Sequence, residues 1–350
     1  DTGRIAGALS TMARRGPDAS GHRVLDLGAQ KAALLHTRLS IIDLDARADQ
    51  PFERDGLVIS YNGEIYNYLE VKTELEALGH RFKTASDTEV LVAAWRQWGP
   101  DALDRLEGMW AFAIADTQAG TLTLCRDRFG EKPLYLWPRG GVLHFASEVK
   151  TLAALAGEAP PVNQTQVLRY LTLGYKSLYK SGDTFFDGVF ELPPSTYLTL
   201  SSPVLSRPEF YWQLKHIPRP MSAAGALEEA RERLFRSVEL RLRADVPVAF
   251  CLSGGVDSAT LAAIAAKKLG ADIHCFSIID ADERYDESAN ITAMVDALGC
   301  GHHVTRTSTE GFFERMEDIV AYHDEPVATI SYYVHSFLSE AIHDTGYKVA

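Results

Sequence analysis

The sequence predicts two architectures in series: an α+β domain of layered antiparallel sheets, followed by an α/β domain with a doubly wound parallel sheet. Short strand patterns separated by turns fill the first 200 or so of the 350 residues, and strands alternate with helices from about Ala223 onwards. Between them, residues 201–221 hold four prolines without clear periodicity. The predicted boundaries are a first domain over 1–205, a linker over 206–221 and a second domain over 222–350.

The strand patterns of the first half are rich in β-branched and aromatic residues. They predict single strands over 33–44, 57–67 and 195–200, and hairpins over 109–127 and 134–148 that turn at Ala119-Gly120 and at residues 139–141. Two helices are predicted at 68–78 and 88–98, each followed by a glycine. Ser86 or Asp87 is expected to cap the second helix.

The second half has the strand–helix alternation that is typical of a parallel sheet. It predicts a long helix over 224–243, strands over 246–252, 272–279, 302–306 and 347–350, and helices over 257–270 and 287–299, with two more helical stretches before the last strand. Ligands of such sheets bind at the carboxyl ends of the strands. His302 and His303 are expected to start a strand and are not interpreted as a metal site.

Composition excludes several classes of protein. A net charge of −12 argues against broad nucleic-acid binding, and no run approaches the ~18 apolar residues of a membrane span. The four cysteines form no CxxC pair, so neither a zinc site nor a disulfide framework is indicated. We therefore expect a cytoplasmic enzyme that acts on small molecules.

The segment SGGVDS (253–258) directly follows a predicted buried strand and opens an alanine-rich helix. Backbone N–H groups of a glycine turn at a helix N-terminus suit a phosphate or pyrophosphate, and Asp257 offers an oxygen ligand for Mg²⁺. The Walker pattern and GxGxxG are both absent. The alternative is a plain tight turn in which Asp257 or Ser258 only caps the helix.

SGGVDS resembles the pyrophosphate loop of the ATP pyrophosphatases, which cleave ATP to AMP and pyrophosphate while adenylating a substrate. The resemblance implies that Ser253, Gly254, Gly255, Asp257 and Ser258 bind ATP, with Asp257 as a Mg²⁺ ligand. It also implies adenine contacts from the next strand, at Ser277 and Ile278.

Several segments of the first half resemble the glutaminase domain of class II amidotransferases of the asparagine synthetase type, and the second half resembles the synthetase domain of the same family. The matching segments are RRGPD (14–18), HTRLSIID (36–43), QPF (50–52), YNGEIYN (61–67), SDTEV (86–90), LEGMWAFAI (106–114), RDRFGEKPLY (126–135) and FASEVKTL (145–152). The resemblance implies an N-terminal nucleophile-hydrolase-like fold for the first domain and an ATP-pyrophosphatase fold for the second.

The same resemblance implies the glutamine site. Arg38 would bind the α-carboxylate, and Glu64 and Asp87 would bind the α-ammonium group. The Asn62 side-chain amide and the Gly63 N–H would form the oxyanion hole. Taken singly, Arg38 could be a surface ion-pair residue, Asp87 a helix cap, and Asn62-Gly63 a hairpin turn.

Other segments are given supporting roles. Residues 15–18 are expected to support the site, 126–135 to be mainly structural, and the region around Asp324-Glu325-Pro326 to lie near the acceptor. Class II glutaminases use an N-terminal cysteine as nucleophile, whereas this sequence begins at Asp1, and the family's SGxGxDE segment is absent. We therefore expect a sequence truncated at both ends.

The resemblance implies glutamine-dependent and ATP-dependent amide formation, with glutamine, ATP and a carboxylate as substrates and a homodimer as one arrangement. Aspartate is the expected acceptor. The alternatives are a family member with another acceptor, such as a sugar carboxylate, a peptide or a secondary metabolite, a ring-closing homologue without glutaminase activity, and a non-catalytic regulatory protein.

Overall fold

The computed structural model describes residues 2–175, 178, 182–201, 207–279 and 287–350. The chain divides into two compact units, Asp1–Lys215 and His216–Ala350. The division lies inside the segment 206–221, whose exact extent as a linker stays a prediction. Among the described residues, no helix has the length and apolarity that crossing a membrane requires.

The first unit contains five α-helices and eleven strands among its described residues. In chain order these are α1 (Thr2–Met12), β1 (Ala19–Asp26), β2 (Lys31–Arg38), β3 (Phe52–Arg54), β4 (Leu57–Ile65), α2 (Tyr68–Ala77), α3 (Asp87–Trp98), β5 (Gly108–Asp116), β6 (Thr121–Arg126), β7 (Tyr135–Arg139), β8 (Val142–Ala146), α4 (Val149–Ala156), α5 (Gln164–Leu173), β9 (Phe190–Glu191), β10 (Thr196–Leu200) and β11 (Glu209–Phe210).

The centre of this unit is a six-stranded antiparallel sheet in the order β11–β10–β6–β5–β4–β3. Its strands alternate between two apolar cores, as the period of two along a strand requires. Ile59 and Tyr61 of β4 pack with α2 and α3 on one face, whereas Val58 packs with Leu34 and Leu136 on the other. That second face is covered by the β1–β2 pair and by the β8–β7–β9 sheet.

Helices α1 and α4 form the outer layer over β2, β7 and β8. The Thr11 and Thr151 hydroxyls join the two helices at 2.9 Å, and Val149 and Leu152 pack on Trp137. The unit therefore has four layers: helices, sheet, strands and helices. The predicted layered antiparallel α+β architecture is confirmed, as are the hairpin turns at Ala119-Gly120 and at 139–141.

Two interpretations of single segments were wrong. The strand predicted over 33–44 ends at Arg38, because residues 42–45 fold back so that their carbonyls accept hydrogen bonds from the Arg38 guanidinium, with Asp43 at φ 51°. The hairpin-turn alternative for Asn62-Gly63 is also wrong, since both residues lie within β4 and pair with Ala111 and Trp110.

The second unit holds a parallel sheet in the order β12–β13–β14. Its elements are α6 (Ala223–Arg241), β12 (Ala249–Cys251), α7 (Val256–Ala263) with a π-helical continuation at Ile264–Lys268, β13 (His274–Ile279), α8 (Ser288–Leu298), β14 (Gly301–Arg306), α9 (Phe312–His323) and α10 (Ser331–Asp344). The strand predicted over 347–350 is a single parallel bridge, Val349 to Val248.

The chain order of this sheet creates a switch point beside β12. The chain runs from β12 through β13 to β14 and then returns, through α9 and α10, to pair Val349 on the other side of β12. Ligands of open parallel sheets bind where the strand order reverses, at the carboxyl ends of the strands. Residues 253–258 follow β12 at that place, and the predicted parallel-sheet architecture is confirmed.

Candidate active site

The open edge of β4 is the centre of the first candidate site. Strand β3 pairs with β4 only at Leu57–Ile59, so the following residues of β4 have β5 as a neighbour on one side only. Side chains of Asn62 and Glu64 share one face of β4, whereas Tyr61 and Ile65 point into the core under α2 and α3. This is the stretch in which the glutamine-binding residues were predicted.

Gly63 lies too close to β5 for any side chain. A Cβ atom at Gly63 would lie 2.1 Å from the Met109 carbonyl oxygen and 2.8 Å from the Trp110 Cα. Since both neighbours are backbone, they could not move aside without breaking the β4–β5 pairing. The glycine of YNGE is therefore required by the close approach of two strands.

Asp87 joins the N-terminus of α3 to β4. Ser86 is the N-cap, because its Oγ accepts the Thr88 N–H at 3.0 Å, and the cap predicted at Ser86 or Asp87 is thereby assigned. The buried Asp87 carboxylate is directed elsewhere: its Oδ2 accepts the Ile65 N–H and the Tyr61 hydroxyl, each at 3.0 Å. Asp87 is thus not the cap of α3, and its carboxylate instead joins α3 to β4.

Glu64 and Asp87 place two carboxyl groups in one partly dry region. Burial first, and then the nearby charge of Asp87, raise the pKa of Glu64 to about 7, against the lowering effect of the Lys132 ammonium. Burial also raises the pKa of Asp87, although hydrogen bonds from Ile65 and Tyr61 oppose that shift. Two such carboxyl groups provide a site for a ligand ammonium group, which would favour their ionised forms.

Arg38 is buried and shapes the loop that follows β2. Its Nη1 donates to the Asp45 carbonyl at 3.0 Å and to Asp49 Oδ1 at 2.8 Å, and its Nη2 donates to the carbonyls of Ile42 and Asp43. The surface ion-pair alternative is wrong in position, since Arg38 is buried, although Arg38 does form an ion pair with Asp49. Both terminal nitrogens already have protein partners, so binding a ligand carboxylate through them would require exchange of those partners.

The loop shaped by Arg38 is fastened to the start of α3. Asp43 Oδ2 accepts the Ala85 N–H at 2.7 Å. Burial raises the pKa of Asp43, but the hydrogen bonds from the Ala85 N–H and from Arg47 outweigh burial, so the pKa lies below its usual value. Hydrogen bonds thus connect Arg38 and the loop around Asp43 to the segment that carries Asp87. None of the bonds described above joins Arg38 directly to Glu64 or to Asp87.

Asn62 is held by the segment that joins β8 to α4. Its Nδ2 donates to Ser147 Oγ at 3.2 Å, which leaves the second Nδ2 hydrogen for another acceptor. The neighbouring Glu148 is buried and forms ion pairs with Arg15 and Lys150, both at 3.3 Å. Together with the bond from the Ser40 N–H to Asp18 at 2.7 Å, these pairs fit the supporting role predicted for residues 15–18.

The segment 126–135 has an internally bonded loop. The fully buried Asp127 carboxylate accepts backbone N–H groups from Trp110, Phe129, Glu131 and Lys132, at 2.9–3.2 Å. This agrees with the predicted structural role. The loop also places the Lys132 ammonium beside Glu64 and Arg15, where burial and then the Arg15 charge lower the Lys132 pKa.

The second candidate site is the loop between β12 and α7. Ser258 Oγ lies 3.0 Å from Ser253 Oγ and accepts the Ser253 N–H at 3.2 Å, so the two serines close the turn. The N-cap of α7 is Gly255, and no side chain caps it, so the alternative in which Asp257 or Ser258 caps the helix is wrong.

One N–H of this loop already binds an anionic group of the protein. The Gly254 N–H donates to Glu287 Oε2 at 2.9 Å, and a Cβ at Gly254 would lie 2.5 Å from the Glu287 Cβ. The loop therefore has the geometry to hold an anionic oxygen against its backbone, as expected of a phosphate-binding turn.

Asp257 and the residues of β13 differ in accessibility. Asp257 is exposed in the first turn of α7, and a single carboxylate beside a phosphate site fits Mg²⁺, which takes its other ligands from phosphates and water. The described residues contain no cluster of three or more acidic, histidine or cysteine side chains suited to a metal. Ser277 is buried, and its hydroxyl donates to the Leu252 carbonyl at 2.7 Å, whereas Ile278 is half-buried.

Three residues with site contacts were not assigned from the sequence: Lys132, Ser147 and Glu287. Lys132 and Ser147 lie inside the matching segments 126–135 and 145–152. The resemblance of those segments to the family is the only feature of the sequence that indicates a role for either residue. Glu287 lies 33 positions after Gly254, and nothing in the local pattern pairs the two.

Two protein-family models match the chain. Residues 1–212 match the family model of the glutamine amidotransferase domain, and residues 229–350 match that of asparagine synthase. The chain belongs to the glutamine-hydrolysing asparagine synthetase family. Strand β4 lies within the first matched range, and the loop 253–258 lies within the second.

The relatives of this chain bear more than one name. Amidase chry2 of Gibberella zeae is 32% identical over 97% of this chain and 52% of its own length. Asparagine synthetase (glutamine-hydrolyzing) 3 of Bacillus subtilis is 32% identical over 90% of this chain and 53% of its own length. A putative asparagine synthetase of Methanocaldococcus jannaschii is 31% identical over 91% of this chain and 64% of its own length. The chain thus spans about half to two thirds of these relatives.

Proposed function

We propose that the chain forms the glutamine-hydrolysing unit and part of the ATP-dependent unit of an amide-forming enzyme. The observation that carries this proposal is an amide donor, a glycine and a half-buried carboxyl group on one stretch of β4: Asn62, Gly63 and Glu64. The buried carboxyl group of Asp87, at the start of α3, is bonded to the end of the same strand. Glutamine presents the matching set, an amide carbonyl and an α-ammonium group.

In the proposed glutaminase, Glu64 and Asp87 bind the ammonium group and Arg38 binds the α-carboxylate. The Asn62 Nδ2 and the Gly63 N–H donate to the oxyanion that forms when the side-chain amide is attacked. The attacking cysteine is not supplied by Cys125, which is buried and whose pKa burial raises far above its usual value. Full-length protein with an established N-terminus is therefore the material for tests of this reaction.

In the proposed synthetase, the loop 253–258 binds the pyrophosphate part of ATP, with adenine contacts along β13 at Ser277 and Ile278. Asp257 would hold Mg²⁺, which would offset phosphate charge. Formation of an acyl-adenylate makes a carboxylate reactive towards ammonia because AMP is a much better leaving group than hydroxide. The bond from the Gly254 N–H to the Glu287 carboxylate supports the ability of this loop to bind an anion.

We propose aspartate as the acceptor, with asparagine, AMP and pyrophosphate as products, and a cytoplasmic enzyme that acts on small molecules. The relatives named asparagine synthetase support this choice. The oligomeric state, with a homodimer as one arrangement, and the role of residues 324–326 stay predictions.

Product analysis tests the acceptor. Full-length protein is incubated with MgATP, glutamine and isotopically labelled aspartate, and labelled asparagine, AMP and pyrophosphate are quantified. Equal amounts of asparagine and AMP are expected. Glutamine hydrolysis and ATP cleavage without labelled asparagine would contradict aspartate as acceptor and leave the two half-reactions in place.

A second candidate has a different acceptor within the same reaction type. It is favoured by the relatives named amidases, at 32–33% identity over 97–98% of this chain. The same assay, repeated with pooled sugar carboxylates, peptides and other small carboxylates, would then show AMP release that depends on one added acid.

A further inference from the structure

We propose that Gln50 is a positioning residue for the glutamine-hydrolysing site: its side-chain amide replaces a neighbouring strand at Tyr61 and so orients the N–H of Gly63. The inference rests on the proposed function, because Gly63 acts there as an oxyanion donor. Gln50 itself is not expected to touch the substrate.

The first step is the pair of hydrogen bonds at Tyr61. Beyond Ile59 the edge of β4 has no strand partner among the described residues, because β3 begins at Phe52. Gln50 Oε1 accepts the Tyr61 N–H at 2.7 Å, and Gln50 Nε2 donates to the Tyr61 carbonyl at 3.2 Å. A primary amide supplies the same acceptor and donor that a strand residue would supply at this position.

The second step is the direction of the Gly63 N–H. Backbone groups of alternate strand residues face the same edge, and Tyr61 and Ile65 both face the edge away from β5, where Gln50 and Asp87 bind them. Gly63 lies midway between them and faces the same edge. Its partner across β4–β5, Trp110, directs its own N–H and carbonyl to Asp127 at 3.2 and 2.8 Å.

The third step is the anchoring of Gln50 itself. Its Nε2 lies 3.5 Å from Thr88 Oγ, next to Asp87. Its carbonyl oxygen lies against β1, where a Cβ at Gly21 would be only 2.5 Å away. Gln50 is thus fixed between β1 and α3, and it transmits that rigidity to the β4 backbone two residues before Gly63.

The experiment compares Gln50→Leu with Gln30→Leu in the full-length protein. Gln30 is a matched control, because its Nε2 also donates to a backbone carbonyl, that of Leu200 at 3.0 Å, but away from β4. Kinetics of glutamine hydrolysis are measured together with hydrogen exchange of residues 57–66. We expect Gln50→Leu to lower kcat about 10- to 100-fold with KM within about threefold, since an oxyanion donor acts mainly in the transition state.

In the same variant the Tyr61 amide should exchange at least about tenfold faster, whereas Gln30→Leu should change neither quantity. Gln50→Glu keeps the acceptor for the Tyr61 N–H and loses the donor to the Tyr61 carbonyl, so an intermediate kcat is expected. This second variant keeps the proposal testable if Gln50→Leu does not fold. An unchanged kcat, a rise in KM alone, or an equal loss in Gln30→Leu would overturn the proposal.

The two levels of inference fail differently. Wild-type protein that does not hydrolyse glutamine would overturn the proposed function and the catalytic role of Gln50 with it. Unchanged Tyr61 exchange in Gln50→Leu would overturn the role of Gln50 in holding β4, whatever the activity of the wild type.

Discussion

Glu64 is the residue whose ionisation is most informative about the proposed glutamine site. Its pKa is raised from 4.5 to about 7, first by burial and then by Asp87. Between these pH values the native state binds more protons than the unfolded state, so stability falls as the pH rises. We expect the ligand-free chain to lose on the order of 2 kcal/mol of unfolding free energy between pH 4.5 and pH 7.5 from this group.

Chemical denaturation across this pH range checks the prediction. Glu64→Gln should flatten the dependence, because the variant has no carboxyl group to ionise. Glu76→Gln, at an exposed position of α2, should leave the slope as in the wild type. Because Glu64 ionises as the pH rises through about 7, glutamine binding is expected to strengthen over the same range. A slope that survives in Glu64→Gln would assign the titration to another group and remove that expectation.

At the scale of elements, the loop 126–132 depends on one carboxylate. Asp127 Oδ1 accepts two backbone N–H groups and Oδ2 accepts two more. Asp127→Asn would turn one oxygen into a donor that faces N–H groups, and we expect a loss of about 2–4 kcal/mol. Asp101→Asn, at an exposed position of the same unit, should cost under about 0.5 kcal/mol.

Urea denaturation of both variants measures the two losses. Because Lys132 is placed by this loop, the Asp127→Asn protein should also show faster hydrogen exchange at residues 129–132. Equal stability of the two variants would mean that the four bonds contribute no more than contacts with water.

The elements also separate what sequence patterns can predict from what they cannot. Periodicity and glycines located β4, α3 and β12–β14 to within a few residues, because their signals are local. The end of β2 at Arg38 was missed, since it depends on carbonyls up to seven residues away that bind one guanidinium. The pairs Gly254–Glu287 and Asn62–Ser147 bring together residues 33 and 85 positions apart, which no local pattern encodes.

At the scale of the whole molecule, the division into two compact units predicts that the two proposed half-reactions can be removed separately. The proposed glutaminase residues all lie before Lys215, and the proposed ATP-binding residues all lie after His216. Each unit has its own apolar core, around Trp110 and around Cys275 respectively. A substitution of an exposed site residue in one unit should therefore leave the other unit folded.

Asp257→Ala and Asn62→Ala in the full-length protein test this separation. Asp257→Ala should abolish pyrophosphate release and keep basal glutamine hydrolysis, because Asp257 is exposed and makes no core contact. Asp296→Ala, at an exposed position of α8, is the matched control and should keep both activities. Asn62→Ala should lower glutamine hydrolysis about 10²- to 10³-fold and keep amide formation from added ammonia. Loss of both activities in either variant, with the fold intact by circular dichroism, would show that the sites are coupled and that the two-unit division does not extend to function.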